Sequence, residues 1–501
     1  MNKKLLLLVV VIFIWLPKVT AQIFPRDGAS LNYRIIGFSF PPEDSGADYR
    51  VEIAKGYFNT ADVFKRNIIN SINASQEKIV IEVPSWGTSY TWRVVSLHKS
   101  TLAEFHHFTT GIVPGVDTSL ARCRVLKTAE TYKDAFFFQD KSKVLYNMAG
   151  APVWYLPSDT GVSVSDLKIT PQGTITFLSN NVPLEVNYNG DTLWRAPDGG
   201  LISGEIAENY NHEFTRLNNG NYMVLGNEHP IWELDAKDSN LFDKSDQSII
   251  RDGKGHFFQK VEYGTLIEYD ARGKIVWSWK SAAYFRENMN KMKNAKGTFN
   301  LSRGGNSFYF DEERNCVYFS IRMENSVLKV QYPEGTVSSV YSGGQGGIKD
   351  KVATNELFCG QHSCKVTQEG YLCLYNNKSC TLGGIPHVVV LAPPNAKNIA
   401  PEKVWDYTCI IESDPNSPEK VPSFRRGGNV MILPDSSFFI SMCGTYSKVH
   451  IVSKDKRILW SVVAENRKDK RAEWGPMSSY RASIIPTRSK LEELIWHAHK
   501  K

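Results

Sequence analysis

LKITPQGTITFL (167–178), FTRLNNGNYMVL (214–225) and CKVTQEGYLCLY (364–375) share one form: a strand, a tight polar turn and a second strand. FYFDEERNCVYFS (308–320), VMILPDSSFFISM (430–442) and ASIIPTRSKLEELI (482–495) repeat it. In each, apolar runs flank a short cluster of Gly, Asn, Asp or Ser, the pattern of a hairpin. Five of the six continue into a further strand, a turn and an outer strand that usually ends in Trp, as in LEVNYNGDTLW (184–194), TLIEYDARGKIVW (265–277) and VHIVSKDKRILW (449–460). The sixth hairpin has no such follower, and its missing half is expected in FFFQDKSKVLYNMAGAPVWYL (136–156). Four strands per repeat, six repeats and a last unit shared by the two ends predict an all-β, six-bladed β-propeller. Sharing one blade closes the ring and removes exposed sheet edges. A large irregular β-sandwich is the alternative, and the regularity of the repeats weighs against it.

Outward from the repeats, residues 22–111 change texture. YRVEIA (49–54), KIVIEV (78–83) and YTWRVVSL (90–97) are short strands between turn-rich stretches, which predicts a fibronectin III/Ig-like β-sandwich with Tyr49 and Trp92 in its core. It ends at FHHFTTG (105–111), where His106 and His107 read as strand-surface residues. Residues 112–134 read as a linker and 135–501 as the propeller, with long insertions near 236–262 and 278–300. Residues 1–21, MNKKLLLLVVVIFIWLPKVTA, have two lysines, an apolar run from Leu5 to Leu16 and small residues at Val19 and Ala21. This is the pattern of a signal peptide cleaved after Ala21, and its apolar run falls short of the ~20 residues a membrane span needs. An exported protein, periplasmic or secreted, without a membrane span in its mature form is the expectation.

The formal charge is +7, and three of the positives lie in the leader. Such a balance is too small and scattered for nucleic-acid binding. Eight cysteines (123, 316, 359, 364, 373, 380, 409 and 443) would meet an oxidising compartment, with Cys359 and Cys364 the first pair to consider for a disulfide bond. No CxxC pair supports a zinc site. Sequons stand at Asn73, Asn300 and Asn377.

Aligning the repeats by their turns brings polar residues to one point. His212 lies eight residues before Gly220, His362 eight before Gly370, and Asn306 eight before Arg314. The same offset falls on Ser165, Gly428 and Tyr480 in the remaining units. In a propeller such positions converge on the central channel. Two imidazoles without a carboxylate at their level make a poor metal set, so no metal is expected.

HEFTRLNNGNYMVL, the NSF…SIR stretch (306–322), QHSCKVTQEGYLCLYNN and SSYRAS (478–483) together resemble the bacterial arylsulfotransferases, over most of 115–501. The resemblance implies a propeller that moves a sulfuryl group from one phenol to another, without a nucleotide donor and without a cofactor. Its partners would be an aryl sulfate donor and a phenolic acceptor. It implies that His362 is transiently sulfated, that His212 is the second active-site histidine, and that Asn306 and Arg322 bind sulfate oxygens. Tyr480 and its neighbour Arg481 are expected at the substrate. Imidazole is a good nucleophile near neutral pH, an arginine fork suits sulfate oxygens, and a protonated His212 would serve the leaving phenolate. The family reads His-x-Asn-Ser where this chain reads Gly304-Gly305-Asn306-Ser307, with Arg303 adjacent as a substitute cation. Gly304 and the SGGQGG loop (342–347) favour the alternative of a catalytically altered or inactive propeller that binds a ligand or protein partner at the same face. A quinone-dependent dehydrogenase is the third reading, ranked last because such propellers have more blades and an adjacent-Cys pair.

Overall fold

The computed structural model describes residues 22–42, 48–98, 103–111, 120–159, 161–234, 249–287, 303–343, 357–379, 384–394, 401–410, 426–444 and 447–499. The leader, the sequon at Asn300 and most of the SGGQGG loop lie outside them. Among the described residues no helix is long and apolar enough to cross a membrane.

The chain divides into two compact units, Met1–Leu31 with Ile35–Gly111, and Asn32–Arg34 with Ile112–Lys501. The first holds a five-stranded sheet, in the order Ala29–Leu31, His106–Thr110, Thr88–Ser96, Tyr49–Lys55 and Ile68–Ala74, and a two-stranded one of Ile35–Ser39 with Lys78–Glu82. Its core forms as alternation predicts. Trp92 is fully buried with Phe38 edge-on at 5.0 Å, and Tyr49 meets Phe40 at the same distance. His107 departs from its surface reading. It is buried, with Nδ1 3.1 Å from Asp27 Oδ1 and its ring stacked on Tyr57 at 3.9 Å.

The second unit is built mainly of antiparallel sheets whose strands follow one another in sequence, except that Ile231–Leu234, Ile249–Arg251 and Phe257–Lys260 interrupt one sheet and form a three-stranded sheet of their own. The first strands of the main sheets are β1 (Val164–Ile169), β2 (Asn209–Arg216), β3 (Ser307–Asp311), β4 (His362–Val366), β5 (Asn429–Ile432) and β6 (Ala482–Ile485). Each hairpin of the sequence forms, except one. After β6 the chain turns into a helix, α1 (Arg488–Ala498), not a second strand. Leu491, Leu494, Ile495 and Ala498 are buried at helical spacing, and the Thr487 side chain accepts from the Lys490 N–H as a cap. Strand β6 therefore pairs with Phe136–Gln139, followed by Val144–Asn147 and Pro152–Tyr155. The earlier stretch supplies three strands of this sheet rather than half of them. Within the expected linker, Ala121–Lys127 is a strand paired with Ile458–Asn466.

Tryptophans of the outer strands explain how successive sheets pack. Trp194 stacks on Tyr222 at 3.8 Å, Trp279 meets Phe319 at 5.2 Å, and Trp405 stacks on Phe438 at 4.3 Å. In every case the partner sits on the second strand of the next sheet. Trp460 meets Phe137 at 4.9 Å in the same way. Such pairs contribute about 0.5–1.5 kcal/mol each beyond the area they bury. The first strands also neighbour one another in sequence order, β1 with β2, β2 with β3, β3 with β4 and β4 with β5. Strand β6 packs against β1, where Ser483 Oγ donates to Leu167 O at 2.5 Å.

Candidate functional site

The hairpin turns are nearly identical, and the differences matter. Gly173, Gly220, Gly370 and Ser436 all have left-handed backbones, with φ between 64° and 88°. In the third sheet the left-handed residue is Asn315, one position after Arg314, because Asp311 pairs with Cys316 across a turn one residue shorter. Strands β1, β2 and β4 carry a bulge near the start, at Ser165/Lys168, Tyr210/Phe214 and His362/Cys364. Asp166, His212 and Ser363 at those bulges have φ of 58°, 55° and 55°. A bulge re-aims the side chain it carries, and non-glycine residues in this conformation mark a constrained position.

The two histidines of equivalent position occupy different surroundings. His362 is buried, with Nδ1 2.7 Å from Asn377 Oδ1. Asn377 Nδ2 donates to Gly427 O at 3.0 Å, and the Gly427 N–H donates to His362 Nε2 at 3.3 Å. His212 is half-buried, with Nδ1 2.5 Å from the Tyr480 hydroxyl. The Tyr480 ring stands edge-on to His362 at 6.5 Å and tilted to His212 at 5.9 Å. Burial, then the charge of Arg322, lowers the His362 pKa to about 3, and burial, then Arg481, lowers that of His212 to about 4. Burial raises Tyr480 to about 12. Both imidazoles are therefore neutral at pH 7, and the shared proton of the Tyr480–His212 pair stays on the phenol. A protonated His212 is not the resting state, because burial disfavours the charged ring and the Arg481 and Arg322 guanidinium groups add to the effect.

Arg481 sits on a charged network beneath these rings. Its Nη1 is 2.8 Å from Asp166 Oδ1 and 3.3 Å from Glu213 Oε2, and Lys365 Nζ is 3.0 Å from Glu213 Oε1. Burial alone would lower the Arg481 pKa, but Glu213 and Asp166 more than offset it and hold the pKa above its ordinary value. Glu213 is held below its own, Lys365 and Arg481 outweighing the burial. The guanidinium is 4% exposed, yet its Nε and Nη2 meet no hydrogen-bond partner among the described residues. Unsatisfied donors of this kind each cost about 1–3 kcal/mol unless a ligand supplies the acceptor. Arg322 follows the strand Cys316–Ile321, its Nη2 3.4 Å from Ser379 Oγ, and burial, with Arg426 nearby, lowers its pKa.

Asn306 lies beside the peptide that precedes His362. One N–H of its Nδ2 is committed to Gln361 O at 2.6 Å, while Oδ1 is buried without a partner among the described residues. It fixes the peptide before His362 at least as directly as it offers a donor. Arg303 does not serve as a substitute cation, being 4% exposed with Nε 2.6 Å from Glu324 Oε1. A Cβ on Gly304 would lie 2.6 Å from Glu262 Oε1 and 3.9 Å from Asn227 Oδ1. The Glu262 carboxylate thus stands beside the vacant position, with His229 Nε2 3.6 Å from its other oxygen.

An open cavity of about 800 Å³ is lined by Ser165, Asn211, His212, Arg426 and Tyr480, with Asp140 at its wall. Its size suits a small organic ligand. Asp140 accepts from the N–H of Tyr480 at 3.2 Å and of Arg481 at 2.7 Å, and from Ser479 Oγ. Burial raises its pKa to about 6. Asn377, Arg426, Asp140 and the Asp166–Glu213–Lys365 network were not foreseen. A signal for the last existed: Lys168 and Lys365 both lie five residues before their turn glycine.

The expected Cys359–Cys364 bridge is absent. Cys359 is disulfide-bonded, but Cys364 is a free, buried thiol within hydrogen-bonding distance of Ser307 Oγ and Tyr318 O. Cys123, Cys316, Cys373, Cys409 and Cys443 are free as well.

Residues 123–384 match the family described as Arylsulfotransferase (ASST). No curated protein sequence matches the chain. Among solved structures, a protein of unknown function from Bacteroides caccae covers 70% of this chain and 98% of its own, at 11% identity and a TM-score of 0.41. A putative 6-phosphogluconolactonase from Bacteroides fragilis covers 89% and 99%, at 11% identity and 0.28. Apo AztD from Citrobacter koseri covers 87% and 98%, at 7% identity and 0.31.

Proposed function

Because the chain belongs to the arylsulfotransferase family, we propose that it is an exported enzyme that moves a sulfuryl group from an aryl sulfate to a phenol through a sulfated His362. The fold that goes with this reading is a six-bladed propeller, preceded in the sequence by a small β-sandwich. The succession of first strands, the Trp packing from each sheet to the next and the contact of β6 with β1 support it. The signal-peptide pattern of residues 1–21 supports export.

One observation carries the mechanism: two equivalent histidines, both neutral, meet across one tyrosine beside two arginines. In the first half-reaction the lone pair of His362 attacks sulfur, the S–O bond to the donor breaks, and the donor phenolate leaves with the electron pair. In the second, the acceptor oxygen attacks sulfur, the N–S bond breaks, and the acceptor proton passes to a base and finally to the first phenolate. Charge on the transferring group would fall to Arg322 and to the unsatisfied donors of Arg481, since a loose transition state is stabilised chiefly by such electrostatics. His212, its Nδ1 accepting from Tyr480, carries its proton on Nε2. A neutral imidazole N–H can stabilise developing negative charge without being an imidazolium. This replaces the protonated donor anticipated from sequence.

The test is release of 4-nitrophenolate from 4-nitrophenyl sulfate by the mature protein, with and without phenol. Release that rises with phenol and vanishes in His362→Ala, with unchanged circular dichroism, is expected. Turnover retained in that variant would remove His362 from the role. No release from folded wild type with any aryl sulfate would favour a ligand-binding propeller, for which Gly304 would be the first cause to examine.

A further inference from the structure

We propose that Asn377 is the positioning residue that makes His362 Nε2 its reactive nitrogen; the proposal rests on the reading of His362 as sulfuryl carrier. Asn377 first stands out in the sequence as part of a sequon, Asn377-Lys378-Ser379. The structure excludes glycosylation there. The side chain is 1% exposed and both ends of its amide are engaged.

The orientation of that amide is dictated from outside. Gly427 O can only accept, and it lies 3.0 Å from Asn377 Nδ2. The amide nitrogen must therefore face Gly427, which turns Oδ1 toward His362 Nδ1 at 2.7 Å. Oδ1 cannot donate, so the proton of the neutral imidazole sits on Nδ1 and the lone pair on Nε2. The Gly427 N–H reaches that lone pair only at 3.3 Å, a long bond that an incoming electrophile can displace. One residue thus reads both ends of the machinery, its carbonyl setting the amide and its N–H marking the reactive atom. Gly427 has φ 71°, and a Cβ on it would lie 2.6 Å from Tyr480 O, so this close approach requires glycine. Neighbouring Asn376 fixes the turn that carries Asn377, its Oδ1 accepting from the N–H of Cys359 at 2.9 Å and of Lys378 at 3.0 Å.

During transfer the Nδ1–H stays in place. Bond formation from Nε2 to sulfur leaves a positive imidazole, and the Asn377 oxygen faces the developing charge. Loss of this partner releases the ring to its other tautomer and removes that dipole. Changes in groups that orient a histidine cost between about 10-fold and 10⁴-fold in rate. Asn377→Leu, close in shape, should lower kcat for transfer from 4-nitrophenyl sulfate by about 10²-fold or more with little change in KM.

Nitrogen-15 NMR of histidine-labelled protein, with the His362 signals identified by their loss in His362→Ala, tests the cause directly. Wild type should show a protonated Nδ1 and an unprotonated Nε2 at His362, and Asn377→Leu a mixture. The opposite tautomer in wild type would overturn the proposal, without reference to any variant. So would a variant that keeps both the wild-type tautomer and the wild-type rate. Should Asn377→Leu fail to fold, Asn377→Ser carries the same test with less steric demand. Failure of the transfer reading has a different signature, since wild type would then form no sulfohistidine on incubation with 4-nitrophenyl sulfate, whatever its tautomer.

Discussion

His212 and His362 begin from the same point of the same repeat, eight residues before a turn glycine, and end in unlike places. His362 is closed in, its Nδ1 tied to a buried amide and its Nε2 touched by one backbone N–H. His212 stands at the cavity wall, tied through Nδ1 to a phenol. The backbone repeat delivers two imidazoles to one site, but the second-strand residues and the neighbouring sheets decide what each can do. One tautomer is set by Asn377, which follows the strand Leu372–Asn376; the other by Tyr480, from the far end of the chain. Repetition supplies position, and the departures from repetition supply two different surroundings, on which the proposed roles of carrier and proton handler rest.

Removing each histidine separately is the most forceful way to break this comparison. His362→Ala should lose transfer by about 10⁴-fold or more, since removing a nucleophile leaves only binding and electrostatics. His212→Ala should still form sulfohistidine from 4-nitrophenyl sulfate, whose leaving group needs little help, and lose far more rate with phenyl sulfate. If the labelled intermediate instead survives in His362→Ala and disappears in His212→Ala, the roles are reversed. Arg322→Ala comes next, with an expected loss of about 10²–10³-fold in kcat, the usual effect of removing one charge-stabilising donor. Steady-state kinetics with circular dichroism as control would decide it.

Gly304→His asks whether the neighbourhood can be completed. The new Cβ would meet the far end of the Glu262 side chain, which can give way, so the fold should be kept and kcat/KM for 4-nitrophenyl sulfate should rise by about 10-fold. An unchanged rate would mean that the Glu262–His229 pair or the two arginines already serve. The smallest effect is on pH. Both imidazoles have lowered pKa values, about 3 and about 4, so a falling pH removes their lone pairs only below that range. The acid limb of kcat/KM should lie there and not near 6.5, leaving the contribution of the histidines flat from about pH 5 to about pH 8. A limb centred near 6.5 would place an ordinary, solvated histidine in control.

How far the sequence reaches depends on distance along the chain. Five of the six hairpins are local patterns and form as read, with His212 and His362 each eight residues before a left-handed turn glycine. The turn from which Tyr480 was counted is a helix instead. The strand expected around Leu491 is a helix, because Leu491, Leu494, Ile495 and Ala498 fall at a 3–4 spacing that the period-two pattern of the other repeats masks. The strand Ala121–Lys127 was invisible as such, since its partner lies more than 300 residues away. Cys364 was paired with Cys359 by proximity in sequence, but a strand carries its side chain toward Ser307 and Tyr318 instead. The sequon marks Asn377 only by its own neighbours, whereas its partners in the fold, His362 and Gly427, lie 15 and 50 residues away.

Asp140, from the early part of the second unit, holds the backbone of Tyr480 and Arg481, and β6 pairs with the strand just before it. A ribosome therefore delivers His212, Asn306, Arg322 and His362 long before it delivers the phenol and the buried guanidinium that complete their surroundings. A chain interrupted between His362 and Tyr480 would carry both histidines without the phenol and the buried guanidinium beside them. The surroundings of His212 are thus assembled only when β6 is paired with the strand just before Asp140.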